Sequence, residues 1–285
     1  MTTRPGSAGG ARGRQADPAP VALNGAQLID LAEQLGVDPI ALEKDLVLTL
    51  IIREYATGPL GEQLVLKGGQ ALRHIYGSAR LSKDADYVAR RRIEFADLRA
   101  AFRVRFPKIT FPGTPEGLTR HGFKVRPIQY RGPLERNDRV EMEVSFREDL
   151  VLEPDRATYR SPFCPPFDIL VMRANEMVAE KVRAMYQRGQ PRDLYDLWFL
   201  FTHPQVQIDD SVVAELIPYK FKPGLVAGGF DRSRLYDRIR GNEHTWDDTL
   251  RDLVPEYPSF DDALVTVERR LRPLRDAPRG QAARR

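Results

Sequence analysis

Sulfur chemistry is almost absent from this sequence: one residue in 285, Cys164, is a cysteine. That excludes an internal disulfide framework and any cysteine-built zinc site. Histidine is nearly as scarce, and the four present (His74, His121, His203 and His244) lack metal-ligand spacing. No apolar run is long enough to cross a bilayer, and no apolar core of the kind that directs secretion stands near the N-terminus. The expectation is a cytoplasmic protein without a membrane partner. Strong charge of one sign is missing too. A formal net charge of +4 and an isoelectric point near 9.2 permit a nucleic-acid partner without demanding one. Much of the surplus lies in Arg4, Arg12 and Arg14 at one end and Arg279, Arg284 and Arg285 at the other. What remains, 42% hydrophobic and 29% charged residues over this length, suits a globular protein of two subdomains.

The chain is organised around the stretch from Leu64 to Val88. Leu64-Val65-Leu66 reads as a buried strand, Gly68-Gly69 as a turn, and Gln70 to about Tyr76 as a helix. After a second turn comes Asp84-Ala85-Asp86. In an extended strand alternate side chains share a face, so Asp84 and Asp86 project together. Two carboxylates that close repel unless a cation lies between them, and oxygen ligands of this kind suit Mg²⁺ with substrate phosphates. The glycines let backbone approach a phosphate, and the helix start beyond them attracts anions. Singly, each motif is more often structural. The order of strand, glycine turn, helix and paired carboxylates resembles the core of nucleotidyltransferases related to polymerase β.

Along the chain, residues 1–20 are rich in Gly, Ala, Pro and Arg and are expected to form no packed structure. A helix begins near Gln27 and stops at Gly36. Asp38-Pro39 reads as an N-cap followed by proline at the first helical position, starting a helix to about Tyr55 with Leu42, Leu46, Leu50 and Ile51 buried. Both helices are expected to pack on the sheet. Arg90-Arg91-Arg92 is either a solvated loop or a phosphate contact. A helix is expected over about 94–106, then strands over about 121–130 and 139–147. In the second of these, Val140, Met142, Val144 and Phe146 face one way, and Glu141, Glu143 and Ser145 the other.

From about Ile169 the chain reads as mainly helical. Between Ala174 and Arg188, Met177, Val178, Val182 and Met185 form an apolar face, and Lys181 falls inside it. A lysine there must snorkel out or meet an anion. The next helix, Pro191 onward, is largely apolar and carries Arg192, Asp193 and Asp196. Asp193 suits the helix dipole, and a pairing with Lys181 or Arg192 would satisfy either aspartate. Arg232, Arg234, Arg238 and Arg240 suggest a basic helical surface, diluted by Asp231, Asp237 and Glu243. The boundaries read are a tail at 1–20, a first lobe at 21–165, a helical lobe at 166–274 and a basic tail at 275–285.

Lys67-Gly68-Gly69, Ser82-Lys83-Asp84-Ala85-Asp86, Glu180-Lys181 and Arg192-Asp193-Leu194-Tyr195-Asp196-Leu197, in that order, resemble the AbiEii-type nucleotidyltransferase toxins. That family includes the MenT toxins of toxin–antitoxin and phage-defence systems, and the resemblance covers about residues 23–272. It implies an α+β fold: a polymerase-β-like mixed sheet in the N-terminal lobe, a mainly helical C-terminal lobe, and an active site between them. Asp84 and Asp86 match the metal-binding aspartates, and Glu143 matches a third carboxylate from a neighbouring strand. Lys67, Gly68, Gly69 and Ser82 match nucleotide-contacting positions. Lys181 matches the essential lysine, joined in the nucleotide site by Arg192 and Asp196. The last acidic position is Asp193, with Asp196 the alternative. Gln70 stands where the family often has Thr or Ser, so backbone N–H groups would serve there instead.

The activity so implied is Mg²⁺-dependent transfer of a nucleoside monophosphate from an NTP, CTP being one candidate. The acceptor is RNA, with the tRNA 3′ end foremost, and the result is a block to aminoacylation and translation. A cognate antitoxin is the expected protein partner. The rival readings are a small-molecule nucleotidyltransferase of the antibiotic-modifying kind and a non-catalytic RNA- or protein-binding module.

Overall fold

The structure, a computed structural model, describes residues 23–102, 108–119, 121–146, 150–222 and 225–275. The tail expected at 1–20, that beyond Arg275, and the end of the helix expected over 94–106 lie outside the described residues.

Helix α1 (Gly25–Leu35) starts at a reciprocal cap: Asn24 and Gln27 each accept the other's backbone N–H at 3.0 Å. It ends where Gly36 adopts φ 64°, a left-handed conformation that glycine takes without strain. Asp38 caps α2 (Pro39–Thr57) by accepting the Ala41 N–H, with proline at the first helical position as expected. Helix α2 is buried on nearly every side, beyond the single stripe its leucines suggest, because it lies across the sheet and carries α1 on its back.

The sheet is built from β1 (Leu64–Lys67), β2 (Asp84–Ala89), β3 (Lys108–Thr110), β4 (Glu116–Thr119), β5 (Gly122–Arg131), β6 (Asn137–Ser145), β7 (Asp155–Ser161) and β8 (Cys164–Val171). Their order is β3-β5-β6-β2-β1-β8-β7, with β4 also on β5. β2 runs parallel to β6 and β1 parallel to β8, and the other pairs are antiparallel. The architecture is α+β on a mixed sheet. Helix α3 (Gly68–His74) follows β1 directly, and α4 (Phe95–Ala101) follows β2. The alternation in β6 holds: Val140, Met142 and Val144 are buried against α2, and Glu141 and Glu143 lie on the opposite face.

Strands β7 and β8 were not legible in the sequence. Asp155–Ser161 is mostly polar, and Pro165-Pro166 argues against a strand. The structure accommodates both because β8 meets β1 only at Leu66↔Val171, so its prolines lie where β7 alone is its partner. Sheet therefore extends to Val171, and helices take over at Ala174. They are α5 (Ala174–Arg188), α6 (Pro191–Thr202), α7 (Asp210–Lys220), α8 (Arg232–Arg240), α9 (Trp246–Leu250) and α10 (Phe260–Leu271). Helix α5 packs on α6, α7 and α8, and one continuous apolar core runs from Leu28 to Leu274.

Candidate active site

β2 lies between β1 and β6, in register Lys67↔Asp86↔Glu143 and Asp84↔Glu141. Ala85 is fully buried while Asp84 and Asp86 are partly exposed, so the two carboxylates share the open face. The glycine turn closes directly over them. A Cβ on Gly68, whose φ is 72°, would collide with Asp86 Oδ2, and one on Gly69 would stand 2.5 Å from Ser82 Oγ. Asp86 thus requires glycine at position 68, and Ser82 with Arg80 requires it at position 69. Ser82 is buried and donates to Asp84 Oδ1 at 2.8 Å, fixing that carboxylate. Burial, then the neighbouring Asp84 charge, pushes the Asp86 carboxyl up to about 7, against the opposing pull of Lys67 and Lys181. Burial and the second carboxylate together outweigh the two lysines around it.

The helical lobe provides a cation facing this pair. Lys181, on α5, is 12% exposed, and its Nζ lies 2.7 Å from Asp196 Oδ2 and 3.6 Å from Asp193 Oδ1, both on α6. The anion that the apolar face demanded is thus the protein's own. Asp193 and Asp196 are fully buried, one turn apart, and each has a second cation. Arg80 clasps Asp196 through two bonds of 2.7 and 3.0 Å, and Arg188 clasps Asp193 through two of 2.7 Å. Burial raises the Asp193 carboxyl, but Arg188, Lys181 and Arg192 outweigh it and hold it below the ordinary carboxylate range.

Arg80 and Arg188 escaped the sequence reading. Arg80 is 4% exposed, two residues before Ser82, and it also donates to Leu81 O. It therefore ties the loop leading into the acidic strand to α6. A buried arginine beside a motif of small residues was the available signal; its partner, 116 residues away, was not readable.

A second ionic chain joins the lobes. Lys67 Nζ lies 3.0 Å from Glu180 on α5, and Glu180 also meets Arg183 and Lys220. Buried Lys220 reaches Glu176 at 2.6 Å, and Glu176 accepts the Val151 and Leu152 N–H groups. Burial raises Glu180, and its surrounding cations, Lys67 first, more than reverse that. Lys67 is therefore engaged in the interlobe bridge.

Among the other predicted residues, Glu143 stands beside Asp86 in register, with its carboxylate 2.8 Å from Lys124 on β5. Among the described residues no three acidic, histidine or cysteine side chains converge as metal ligands. The residues that could hold a divalent cation are Asp84 and Asp86, a donor pair of the kind Mg²⁺ supplements with substrate phosphates. Arg192 is partly buried at the start of α6 with an unpartnered Nε. Gln70 turns away from the glycine loop and bridges Asp45 Oδ1 at 3.0 Å and the Tyr159 hydroxyl at 2.9 Å. Arg90, Arg91 and Arg92 lie past the far end of β2 and meet Glu153, Gln63 and Glu94. A cavity of about 860 Å³ lies there as well, lined by Glu54, Thr57, Gln63, Arg91 and Arg92 and by none of the predicted site residues.

Residues 50–266 match the family described as the nucleotidyl transferase AbiEii toxin of type IV toxin–antitoxin systems. By structure the chain is similar to MenT4, a nucleotidyltransferase toxin of Mycobacterium tuberculosis H37Rv. Identity is 18%, coverage 87% of this chain and 88% of that one, and the TM-score 0.62. It is also similar to JHP933 of Helicobacter pylori, at 18% identity, 83% and 92% coverage, and a TM-score of 0.54. At such identities the likeness speaks for the fold. No curated protein matches the sequence. No helix among the described residues is long and apolar enough to cross a membrane.

Proposed function

The chain belongs to the AbiEii nucleotidyltransferase toxin family, and from that premise we propose that it transfers a nucleoside monophosphate to an RNA 3′ end, tRNA being the acceptor and CTP a candidate donor. Nucleotidyl transfer itself, and a cognate antitoxin, follow from membership. The acceptor, the metal and the residue roles are our reading. The single observation that supports it is the facing arrangement of the two strand carboxylates, Asp84 and Asp86, and a lysine clasped by two buried aspartates.

In this reading Asp84 and Asp86 hold Mg²⁺, with Glu143 available from the adjacent strand once it leaves Lys124. Mg²⁺ bound there supplies charge neutralisation to the triphosphate and a lowered pKa to the attacking hydroxyl. Ser82 keeps Asp84 oriented through its 2.8 Å hydrogen bond. Gly68 and Gly69 leave the space beside the carboxylates clear of side chains. Lys181 neutralises charge on the triphosphate, and Asp196 and Asp193 hold its ammonium in position. Asp196, at 2.7 Å, is the nearer of the two, which favours it over Asp193 as the residue acting through Lys181. Arg192 stands at the start of the same helix to meet substrate charge.

The test is incubation of the protein with total RNA and each labelled triphosphate in turn. We expect label at the 3′ end of tRNA with wild type and none with Asp86→Ala, whose fold persists. Labelling of a small molecule in place of RNA would replace this acceptor with the antibiotic-type rival. Full activity in the variant would remove the metal assignment.

A further inference from the structure

Helix α5 packs on α6, α7 and α8, none of which belongs to the sheet. Its Lys181 nevertheless acts on Asp86 of β2, as Lys67 of β1 does. The ion pair that carries α5 to the sheet is Glu180 with Lys67, at 3.0 Å. Glu180 directly precedes Lys181 in the chain, and Lys67 stands opposite Asp86 in the β1–β2 register. The pair therefore links the neighbour of the lysine to the neighbour of the acid. Its two side chains are 14% and 11% exposed, so salt and water weaken the attraction little.

The helical side of Glu180 is held as firmly. Arg183, one turn on, meets the same carboxylate at 3.1 Å, and Lys220 on α7 meets it at 2.9 Å. Lys220 also holds Glu176, four residues before Glu180 and on the same face of α5. Just ahead of the helix, the Met172 N–H donates to Leu66 O at 3.0 Å, so the chain enters α5 bonded to the residue before Lys67. Successive residues of a helix point about 100° apart. Glu180 can therefore reach β1 while Lys181 turns to Asp193 and Asp196.

We propose that Glu180 is a positioning residue for nucleotidyl transfer: by holding Lys67 it fixes the stance of α5 against β1 and sets Lys181 opposite Asp86. This rests on the reading of Lys181 above. Glu180 acts through the helix it anchors, without touching substrate. A displacement of about 1 Å at a reacting group can cost roughly a hundredfold in rate, so an ion pair one residue from Lys181 is enough to matter. A Lys67 that bound the triphosphate itself would have to leave Glu180, and the two roles give opposite results when the glutamate charge is removed.

The test measures kcat and KM of nucleotidyl transfer, triphosphate affinity and the thermal melt. The proteins are wild type, E180Q, K67M, K67R, K181M, K67M/E180Q and E180Q/K181M. E180Q and K67M should each lower kcat by roughly ten- to a hundredfold, with triphosphate affinity within about threefold of wild type. K67M leaves Glu180 with Arg183 and Lys220, so its melt should stay near wild type even where E180Q is less stable. Each double variant should fall within about twofold of its slower single variant, since the three side chains act as one unit. K67R, which keeps the pair, should recover most of the rate. Tighter triphosphate binding in E180Q with weaker binding in K67M would make Lys67 a nucleotide contact and overturn the proposal. Lower melts with kcat unchanged would overturn it too, leaving the bridge as scaffold. If K181M is itself silent, the Lys181 reading fails and takes the positioning role with it. If K181M loses its rate and E180Q loses nothing, the positioning role alone fails.

Discussion

Two carboxylates that meet the same short helix behave in opposite ways. Asp45, on α2, is fully buried and meets His74, Arg73 and Gln70, all from α3, at 3.0 Å each. Burial pushes its carboxyl up, but His74, then Arg73 and Gln70, bring it down to about 2. Asp86 sits at the other end of α3, under Gly68, and burial, then the Asp84 carboxylate, pushes it up to about 7. The first group is satisfied by its own protein and belongs to the scaffold. The second stands beside another carboxylate on an open face, with its shift uncompensated by the lysines around it, and such a group marks a place for a ligand. Charge balance, more than burial, separates structure from chemistry here.

The strongest way to break this contrast is to remove each acid in turn. Asp86→Ala should lower nucleotidyl transfer by roughly a thousandfold or more while leaving the thermal melt intact or higher, because it relieves repulsion. Asp45→Asn should do the reverse. It leaves Arg73 without its counter-charge and His74 Nε2 without its carboxylate partner, at a cost of about 3 kcal/mol in denaturant unfolding. Equal effects of the two substitutions on stability would erase the distinction.

Lys181→Met sharpens it further. Asp196 keeps Arg80 and Asp193 keeps Arg188, so no buried charge is orphaned and the fold should hold. Transfer should drop about a hundredfold, read as a loss in single-turnover rate. A silent substitution would return the lysine to a purely structural role.

The smallest effect is in pH. A raised acid such as Asp86 stabilises the folded state fully below its unfolded value of 3.8, and that stabilisation is lost as pH rises through about 7. Metal-free wild type should therefore melt lower at pH 8 than at pH 5.5, relative to Asp86→Asn. The depressed Asp45 works the other way: its contribution is present above 3.8 and is lost as pH falls toward about 2. A wild-type melt that tracks Asp86→Asn from pH 5.5 to pH 8 would contradict the assignment.

What the sequence disclosed was whatever lay within a few residues. Asp84 and Asp86 share a face because a strand alternates, and Lys181 stands out because a helix repeats. Pro191–Leu197 declares two acids on an apolar helix. Arg80, Arg188 and Lys220 were opaque because each matters through partners the fold brings together. Gln70 looked like a lost hydroxyl at the glycine turn, whereas its amide points the other way, to Asp45. The glycines themselves were read as room for a phosphate, and the structure shows them as room for Asp86 and Ser82. Strands β7 and β8 were hidden by polar residues and prolines that an almost unpaired stretch of β8 tolerates.

The most direct measurement is calorimetric titration of Mg²⁺ into the wild-type protein at pH 6.5, in two buffers of different ionisation enthalpy. Asp86 is then mostly protonated, so binding should release most of one proton, and Asp86→Asn should bind weakly and release almost none. Tight binding with no proton release in wild type, or the same release in Asp86→Asn, would contradict a metal held at this pair.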